Sequence, residues 1–220
     1  MKNSGWEAIQ VGSTPKGAEV YNNRIENYGV ANKLYQNNGV QFSEAGIGKF
    51  YGNFIKGGKG IALMIIGNAQ NFAHDNVIIN AGQDGIFVDD RTAGAGFKFI
   101  NNTIINPGGY GIRLYSDLVP MNLVYNNLIV KPGKYATAGN NAYVSLLNKT
   151  MKATLLNNHF TQDINSVKFV SPSSDNYALQ STSPVKNKGT NISSQGISVD
   201  FANKPRLSGT SYDIGAYEYQ

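Results

Sequence analysis

The 220-residue chain contains no cysteine, which excludes disulfides and thiolate metal sites. Its only two histidines, His74 and His159, stand beside the repeated asparagines described below, so we expect solvated turn residues and no histidine-based metal site. No run approaches the roughly 20 consecutive apolar residues of a membrane span. Apolar stripes of helical period and length are also missing between the strand-like runs, and this favours an all-β fold.

Charged residues are sparse. The 19 basic and 14 acidic residues give a net charge of +5 and are spread along the sequence. The lack of a dense basic run argues against a nucleic-acid-binding arm. A mildly basic surface suits an acidic polysaccharide, although a solvated surface with no charged partner explains the same charge. We expect a monomer that binds polysaccharide and does not bind nucleic acid.

Asparagine, in contrast, is abundant, with 28 residues in the chain. A phrase in which Asn precedes a short apolar run occurs six times. The last Asn of each phrase is Asn23, Asn53, Asn76, Asn102, Asn127 or Asn158. The steps of 30, 23, 26, 25 and 31 residues indicate stacked units, none of which can bury its apolar face alone.

A second phrase, Gly followed by alternating apolar residues, keeps step with the first. It begins at Gly39, Gly60, Gly85 and Gly111. Alternation at period two predicts short strands with one buried face, so each unit of roughly 25 residues is expected to hold two or three strands joined by turns. We predict an all-β solenoid, a single-stranded parallel β-helix of about seven coils over residues 1–170. Residues 171–220 lose the period and are predicted to form an irregular capping tail packed on the helix.

The repeated Asn has two physical roles in such a fold. A corner between two strands needs left-handed backbone, which Asn tolerates better than most residues. Stacked Asn amides also hydrogen-bond along a column. We therefore predict that Asn76, Asn102 and Asn127 lie in one column and serve the architecture.

The tail contains a recognisable pattern of spaced residues. They are Tyr177-Ala178-Leu179, Ser183-Pro184, Gly189, Asp200-Phe201, Arg206 and Asp213-Ile214-Gly215-Ala216-Tyr217-Glu218. This pattern closely resembles the C-terminal segment of secreted bacterial right-handed parallel β-helix proteins, including choice-of-anchor Q proteins. The coils resemble the wider pectate-lyase-like superfamily. The resemblance implies a right-handed helix in a secreted or cell-surface bacterial protein that handles polysaccharide. The chain opens within the repeat, so we expect its export signal and further coils to precede residue 1.

The same resemblance implies a substrate groove along one strand column, which here is the column of Gly-led strands. Outward positions give one row of Gln41, Ala62, Phe87 and Arg113, and a next row of Ser43, Met64, Asp89 and Tyr115. The candidate catalytic residues are Asp89, Asp90, Arg91 and Arg113, and the candidate substrate-binding residues are Glu44, Phe87, Tyr115 and Asp117. Aromatic faces suit sugar rings, whereas carboxylates and arginines suit hydroxyls and uronates. Asp84, just before a Gly-led strand, is predicted to be a turn residue.

Three functions follow from these residues as alternatives. A polysaccharide lyase would use Arg91 and Arg113 to neutralise a uronate carboxylate, but no lysine base lies on the groove rows. Asp89 and Asp90 would then hold Ca²⁺ through oxygen ligands. A glycoside hydrolase would use paired carboxyls such as Asp89 and Asp117. A sugar-binding, adhesive or structural β-helix needs none of these arrangements.

Overall fold

A computed structural model describes residues 1–43, 46–66, 71–89, 96–115, 121–133, 142–146 and 153–220. Within these ranges the chain forms twenty β-strands, numbered β1 to β20 in chain order, and three short 3-10 helices. The same ranges contain no α-helix and no helix long and apolar enough to cross a membrane. The predicted all-β class is confirmed.

Eighteen of the strands form three parallel sheets of six strands each. The first sheet contains β1 (Ile9–Val11), β4 (Val40–Phe42), β7 (Leu63–Ile66), β10 (Ile86–Asp89), β13 (Ile112–Tyr115) and β16 (Val144–Leu146). The second contains β2 (Ala18–Tyr21), β5 (Gly48–Tyr51), β8 (Phe72–His74), β11 (Lys98–Ile100), β14 (Asn122–Tyr125) and β17 (Ala153–Leu156). The third contains β3 (Arg24–Tyr28), β6 (Phe54–Gly58), β9 (Val77–Ile79), β12 (Thr103–Ile105), β15 (Leu128–Val130) and β18 (His159–Thr161).

Each coil contributes one strand to each sheet, and successive coils stack in register. Val77, Thr103 and Leu128, for example, are Cα partners on adjacent strands of the third sheet. The described residues form six coils, so the predicted number of about seven is too high. The count of six Asn phrases was the better guide, because the chain after β18 packs outside the coils and adds no further winding.

The core is a narrow column of inward-pointing side chains. On the second sheet these are Val20, Phe50, Ala73, Phe99 and Val124, which are Cα partners from coil to coil. Ala73 stands between two phenylalanines, so a small side chain separates two large ones, an arrangement that suits the close packing of protein interiors. Each fully buried side chain of this size contributes about 1.5–3 kcal/mol through removal of apolar surface from water.

The predicted Asn column is present. Each side-chain amide donates to the Oδ1 atom one coil further on, at 3.0 Å from Asn23 to Asn53, 3.1 Å to Asn76, 2.9 Å to Asn102, 3.0 Å to Asn127 and 3.0 Å to Asn158. The same amide nitrogen also reaches a strand carbonyl, as Asn102 Nδ2 does at 3.0 Å from the Ala73 oxygen. Asn102 is fully buried, and these bonds satisfy its amide without water.

The left-handed corner belongs to the residue before each ladder Asn. Positive φ angles occur at Gly52 (61°), Asp75 (52°), Asn101 (56°) and Asn126 (54°), whereas Asn102 lies outside this region. The prediction that the ladder Asn itself makes the corner is therefore wrong by one position. One residue turns the chain, and the next points its amide into the column, because a single residue cannot meet both demands.

After β18 the chain packs against the outside of the solenoid. It forms 3-10 helices at Ile164–Val167, Pro172–Ser174 and Ser193–Gln195, and an antiparallel pair of β19 (Phe169–Ser171) with β20 (Asn176–Leu179). Phe169 and Leu179 from this pair join Val77, Ile105 and Val130 of the third sheet in a second apolar cluster. The strands β9, β12 and β15 of the third sheet are thus buried on both faces, which explains their nearly continuous apolar sequences.

A buried charged cluster joins the tail to the third coil. The Arg206 side chain has no exposed surface. Its guanidinium donates to Asp75 Oδ1, to Glu218 Oε2 at 3.1 Å and to the Gly215 carbonyl at 3.0 Å. Burial raises the pKa of the Glu218 carboxyl, and the backbone N–H of Asp213 together with Arg206 offsets only part of this effect.

Candidate functional site

The outward face of the first sheet presents a row that differs from the predicted one. Gln41, Met64, Phe87, Arg113 and Ser145 are successive Cα partners. Ala62 was expected in this row and Met64 in the next, but β7 begins two residues later relative to its Gly than its neighbours do. A shift of two residues keeps each side chain on its face and moves it along the strand, so Met64 replaces Ala62.

Arg113 is the charged side chain of this row, and two aromatic rings lie beside it. Its guanidinium carbon lies 4.3 Å from the centroid of the Phe87 ring and 5.6 Å from that of Tyr110. Its Nε atom lies 2.7 Å from Asp84 Oδ2, although the N–H is poorly aligned with that oxygen, so charge rather than a directed hydrogen bond holds the pair. The Arg113 side chain remains 28% exposed and can still meet a ligand.

Asp84 forms an ion pair with Arg113 from the neighbouring coil, a role that the predicted turn position does not reveal. Its carboxyl is buried, and Oδ1 accepts the Tyr110 backbone N–H at 2.8 Å. Burial raises the pKa of Asp84, and the nearby Arg113 charge and the Tyr110 N–H lower it without cancelling that effect. The sequence contained a signal for this contact. Asp84 lies just before β10, and Arg113 lies near the start of β13, one coil further on.

Asp89 and Tyr115 form the next pair along the sheet. They are Cα partners at the ends of β10 and β13, and Tyr115 is 51% exposed. The structure therefore brings together four of the predicted residues, namely Phe87, Asp89, Arg113 and Tyr115. The other four, Glu44, Asp90, Arg91 and Asp117, lie outside the described residues.

The described residues of this face offer chemistry suited to ligand recognition. A fixed guanidinium beside an aromatic ring and an exposed tyrosine suits a sugar that bears a carboxylate. None of the described first-sheet strands contains a lysine that could act as a base. Asp89 is the only described member of the proposed Ca²⁺ pair, and no three acidic or histidine side chains among the described residues gather as metal ligands. Ca²⁺ binding stays a prediction.

The second sheet has an outward aromatic stack that the sequence analysis did not recognise. Tyr21, Tyr51 and His74 stack coil upon coil, with ring centroids 5.0 and 4.9 Å apart and interplanar angles of 4° and 1°. His74 is thus a half-buried strand residue, not the solvated turn residue that was expected. His159 also lies in a strand, where burial lowers its pKa. Each stacked ring stands two residues before a ladder Asn, so the repeat itself contained the signal.

The comparisons with known proteins agree with this geometry. The fold is that of a right-handed parallel β-helix. Residues 1–129, more than half of the chain, match the family described as the right handed beta helix region, and the chain belongs to that family. No curated protein matches the chain significantly. Among solved structures, the crystal structure of pectate lyase Pel9A is similar, with a TM-score of 0.57 and 17% sequence identity. The match covers 98% of this chain and 65% of that one, and at this identity it shows the fold alone.

Proposed function

We propose that the protein is a polysaccharide lyase-like β-helix protein that binds acidic polysaccharide along the outward face of its first sheet. The observation that supports this most directly is the arginine held over Phe87 and anchored by Asp84. An arginine fixed in this way loses little rotamer freedom when it meets a carboxylate, so the binding free energy is not consumed in ordering the side chain. The exposed Tyr115, one row away, adds a flat surface for a sugar ring.

Lyase chemistry needs more than this face provides within the described residues. β-Elimination requires a base at the uronate C5 proton as well as a cation at the carboxylate. Arg113 suits the second role, and Arg91, outside the described residues, is the proposed partner. The similarity to a protein named pectate lyase supports an acidic polysaccharide as the ligand class. Hydrolysis through Asp89 and Asp117, and a purely adhesive role, are the alternatives that the experiment separates.

The tail supports a proposal on lineage and location. We propose a secreted or cell-surface protein of the choice-of-anchor Q type, based on the tail pattern that ends at Glu218. The acidic residues of that pattern act inside the tail: Asp200 Oδ2 accepts the Glu218 N–H at 2.9 Å, and Asp213 Oδ2 accepts the Tyr219 N–H at 2.6 Å. Such carboxylates hold the tail in shape and explain why the pattern is specific for fold and uninformative for chemistry.

The test is retention of the protein in gels that contain polygalacturonate, alginate or a glycosaminoglycan. The same mixtures are assayed for ultraviolet absorbance of unsaturated products and for new reducing ends. We expect retention by at least one acidic polymer, and about tenfold weaker retention for Arg113→Met. The exposed Lys188→Met variant, which removes one charge from the tail, is the matched control and should bind like wild type.

Each outcome separates the alternatives. Ultraviolet absorbance would identify a lyase, and reducing ends without absorbance would identify a hydrolase. Retention with neither product leaves a binding protein. Equal retention of Arg113→Met and wild type, or no retention by any acidic polymer, would contradict the proposal.

A further inference from the structure

A second candidate ligand surface lies on the outward face of the second sheet. There Glu19, Lys49, Phe72 and Lys98 are successive Cα partners on β2, β5, β8 and β11. Adjacent strands stand about 4.8 Å apart, so this row places one aromatic ring between two lysines on three neighbouring coils. None of these residues belongs to the first-sheet groove.

The row borders a cleft of about 630 Å³. Lys16, Lys49 and Lys98 line it together with Phe72, and Glu19 is the one acidic side chain among the described lining residues. Gly17, Gly48 and Gly96 also line the cleft. Three lysines against one glutamate give a positive concavity of the size that small ligands occupy.

Neighbouring groups contact two of these lysines, and one of the two lies beside the ring. Lys98 Nζ donates to Gln195 Oε1 at 3.0 Å and lies 5.6 Å from the centroid of Phe72. Lys49 Nζ lies 3.6 Å from Glu19 Oε1. Because Lys49 and Lys98 stand on the strands on either side of Phe72, an anionic sugar ring that covers Phe72 would lie between the two lysines.

The Glu19 carboxylate in the row indicates which class of anionic ligand fits the cleft. Tyr51 donates its hydroxyl to Glu19 Oε2 at 3.0 Å, and Tyr51 belongs to the aromatic stack in the adjacent row. A carboxylate accepts hydrogen bonds from sugar hydroxyls but repels a closely spaced phosphate chain. Uronate chains carry one carboxylate and free hydroxyls on each ring, so they match lysine, aromatic ring and glutamate together. Nucleic acid matches only the first two.

We propose that this cleft, which we call the second-sheet cleft (Lys16, Glu19, Lys49, Phe72 and Lys98), binds a uronate-containing oligosaccharide as a site separate from the first-sheet groove. One uronate ring lies on Phe72 while Lys49 and Lys98 bind carboxylates of the chain. The site shares its ligand class with the proposed function, but it does not depend on Arg113. A glycan chain would thereby contact two different sheets of the solenoid.

The experiment measures the equilibrium binding of an oligogalacturonate to the full chain. The double variant Lys49→Met with Lys98→Met should bind about tenfold more weakly than wild type through the loss of two charge-assisted contacts. The matched control is Lys188→Met with Lys204→Met, which removes two exposed charges from the tail and should stay within about twofold of wild type. Phe72→Leu keeps the apolar packing against the tail and removes the flat ring, so it should bind about threefold more weakly at an unchanged melting temperature.

Three results would overturn the proposal. The first is equal binding by the lysine double variant and its control pair, because any loss would then reflect net charge alone. The second is unchanged binding by Phe72→Leu, which would reduce the cleft to a charged patch. The third is tighter binding of single-stranded DNA than of oligogalacturonate with the same dependence on Lys49 and Lys98.

The Arg113→Met variant separates this site from the proposed function. If Arg113→Met abolishes binding and the lysine double variant binds like wild type, the first-sheet groove is supported and the second-sheet cleft is refuted. If the lysine double variant abolishes binding and Arg113→Met has no effect, the reverse holds. We expect each change to weaken binding by itself, and the combination to weaken it further.

Discussion

At the scale of single residues, neighbouring asparagines do different work. Asn101 adopts the left-handed backbone of the corner with φ of 56°, and Asn102 places its amide in the buried ladder. The first role depends on backbone freedom and the second on two donors and one acceptor of the side chain. Glycine can therefore replace the first residue, as Gly52 does, while no apolar residue can replace the second.

Asn102→Leu should lower the free energy of unfolding by roughly 2–4 kcal/mol. The substitution removes the Oδ1 atom that accepts both the backbone N–H and the side-chain amide of Asn76. It also removes one of the two donors to Asn127 Oδ1, and all of these groups are buried. Chemical denaturation monitored by circular dichroism measures the change. The exposed Asn165→Leu is the control and should stay within about 0.5 kcal/mol of wild type. Equal stability of the Asn102 variant and wild type would contradict the ladder's role.

The ladder could be predicted because its residues repeat at the period of the coil, and the type of residue fits the chemistry of a corner. The position of the left-handed residue could not be predicted, since an Asn-Asn pair does not indicate which of its two residues adopts the left-handed backbone. The Asp84–Arg113 pair was missed for a related reason: Asp84 precedes its strand, and turn residues are rarely read as partners of strand residues on the next coil.

At the scale of elements, the tail hairpin is held to the first two coils by charge. Asp175, between the 3-10 helix Pro172–Ser174 and β20, pairs with Lys56 Nζ at 2.6 Å and with Arg24 Nη2 at 2.8 Å. Burial by itself would raise the pKa of Asp175, but the hydrogen bonds from Lys56 and Arg24 outweigh it and lower the pKa below the ordinary value.

This lowered pKa fixes the sign of a pH effect. The pair stabilises the folded state fully at pH values above the ordinary carboxyl pKa of about 4, and the stabilisation is lost as the pH falls through the lower folded-state pKa. Melting temperatures measured from about pH 7 down to about pH 3 should therefore fall less steeply for Asp175→Asn than for wild type. Glu7→Gln removes another carboxylate as a control. A wild-type slope in the Asp175 variant would show that the pair does not hold the hairpin.

At the scale of the whole molecule, distant segments meet through stacking and through the tail. Stacking joins residues about one coil apart and follows from the period of the sequence. The tail contacts do not follow from this period. Arg206 contacts Asp75, which lies 131 positions earlier in the chain, and the tail has no repeat that would indicate this pairing. The solenoid was therefore predictable, whereas the face on which the tail lies was not.

Arg206→Met should destabilise the protein by about 3–5 kcal/mol, because it leaves Asp75 and Glu218 buried without their cation. The loss should shrink as the pH falls, since burial raises the pKa of Glu218 and protonation of that carboxyl removes its uncompensated charge. Thermal unfolding at two pH values measures both effects, and the exposed Lys204→Met serves as the charge-matched control. A stability equal to that of the control at neutral pH would mean that the cluster does not hold the tail to the coils.

We propose that the first sheet presents Arg113 to the carboxylate of an acidic sugar, and a crystal structure of the protein with a bound oligogalacturonate would show this contact. We expect a uronate carboxylate within hydrogen-bond distance of the Arg113 guanidinium, with the sugar chain crossing the strands that bear Phe87 and Tyr115. A bound chain that contacts neither Arg113 nor any other outward residue of the first sheet would contradict it.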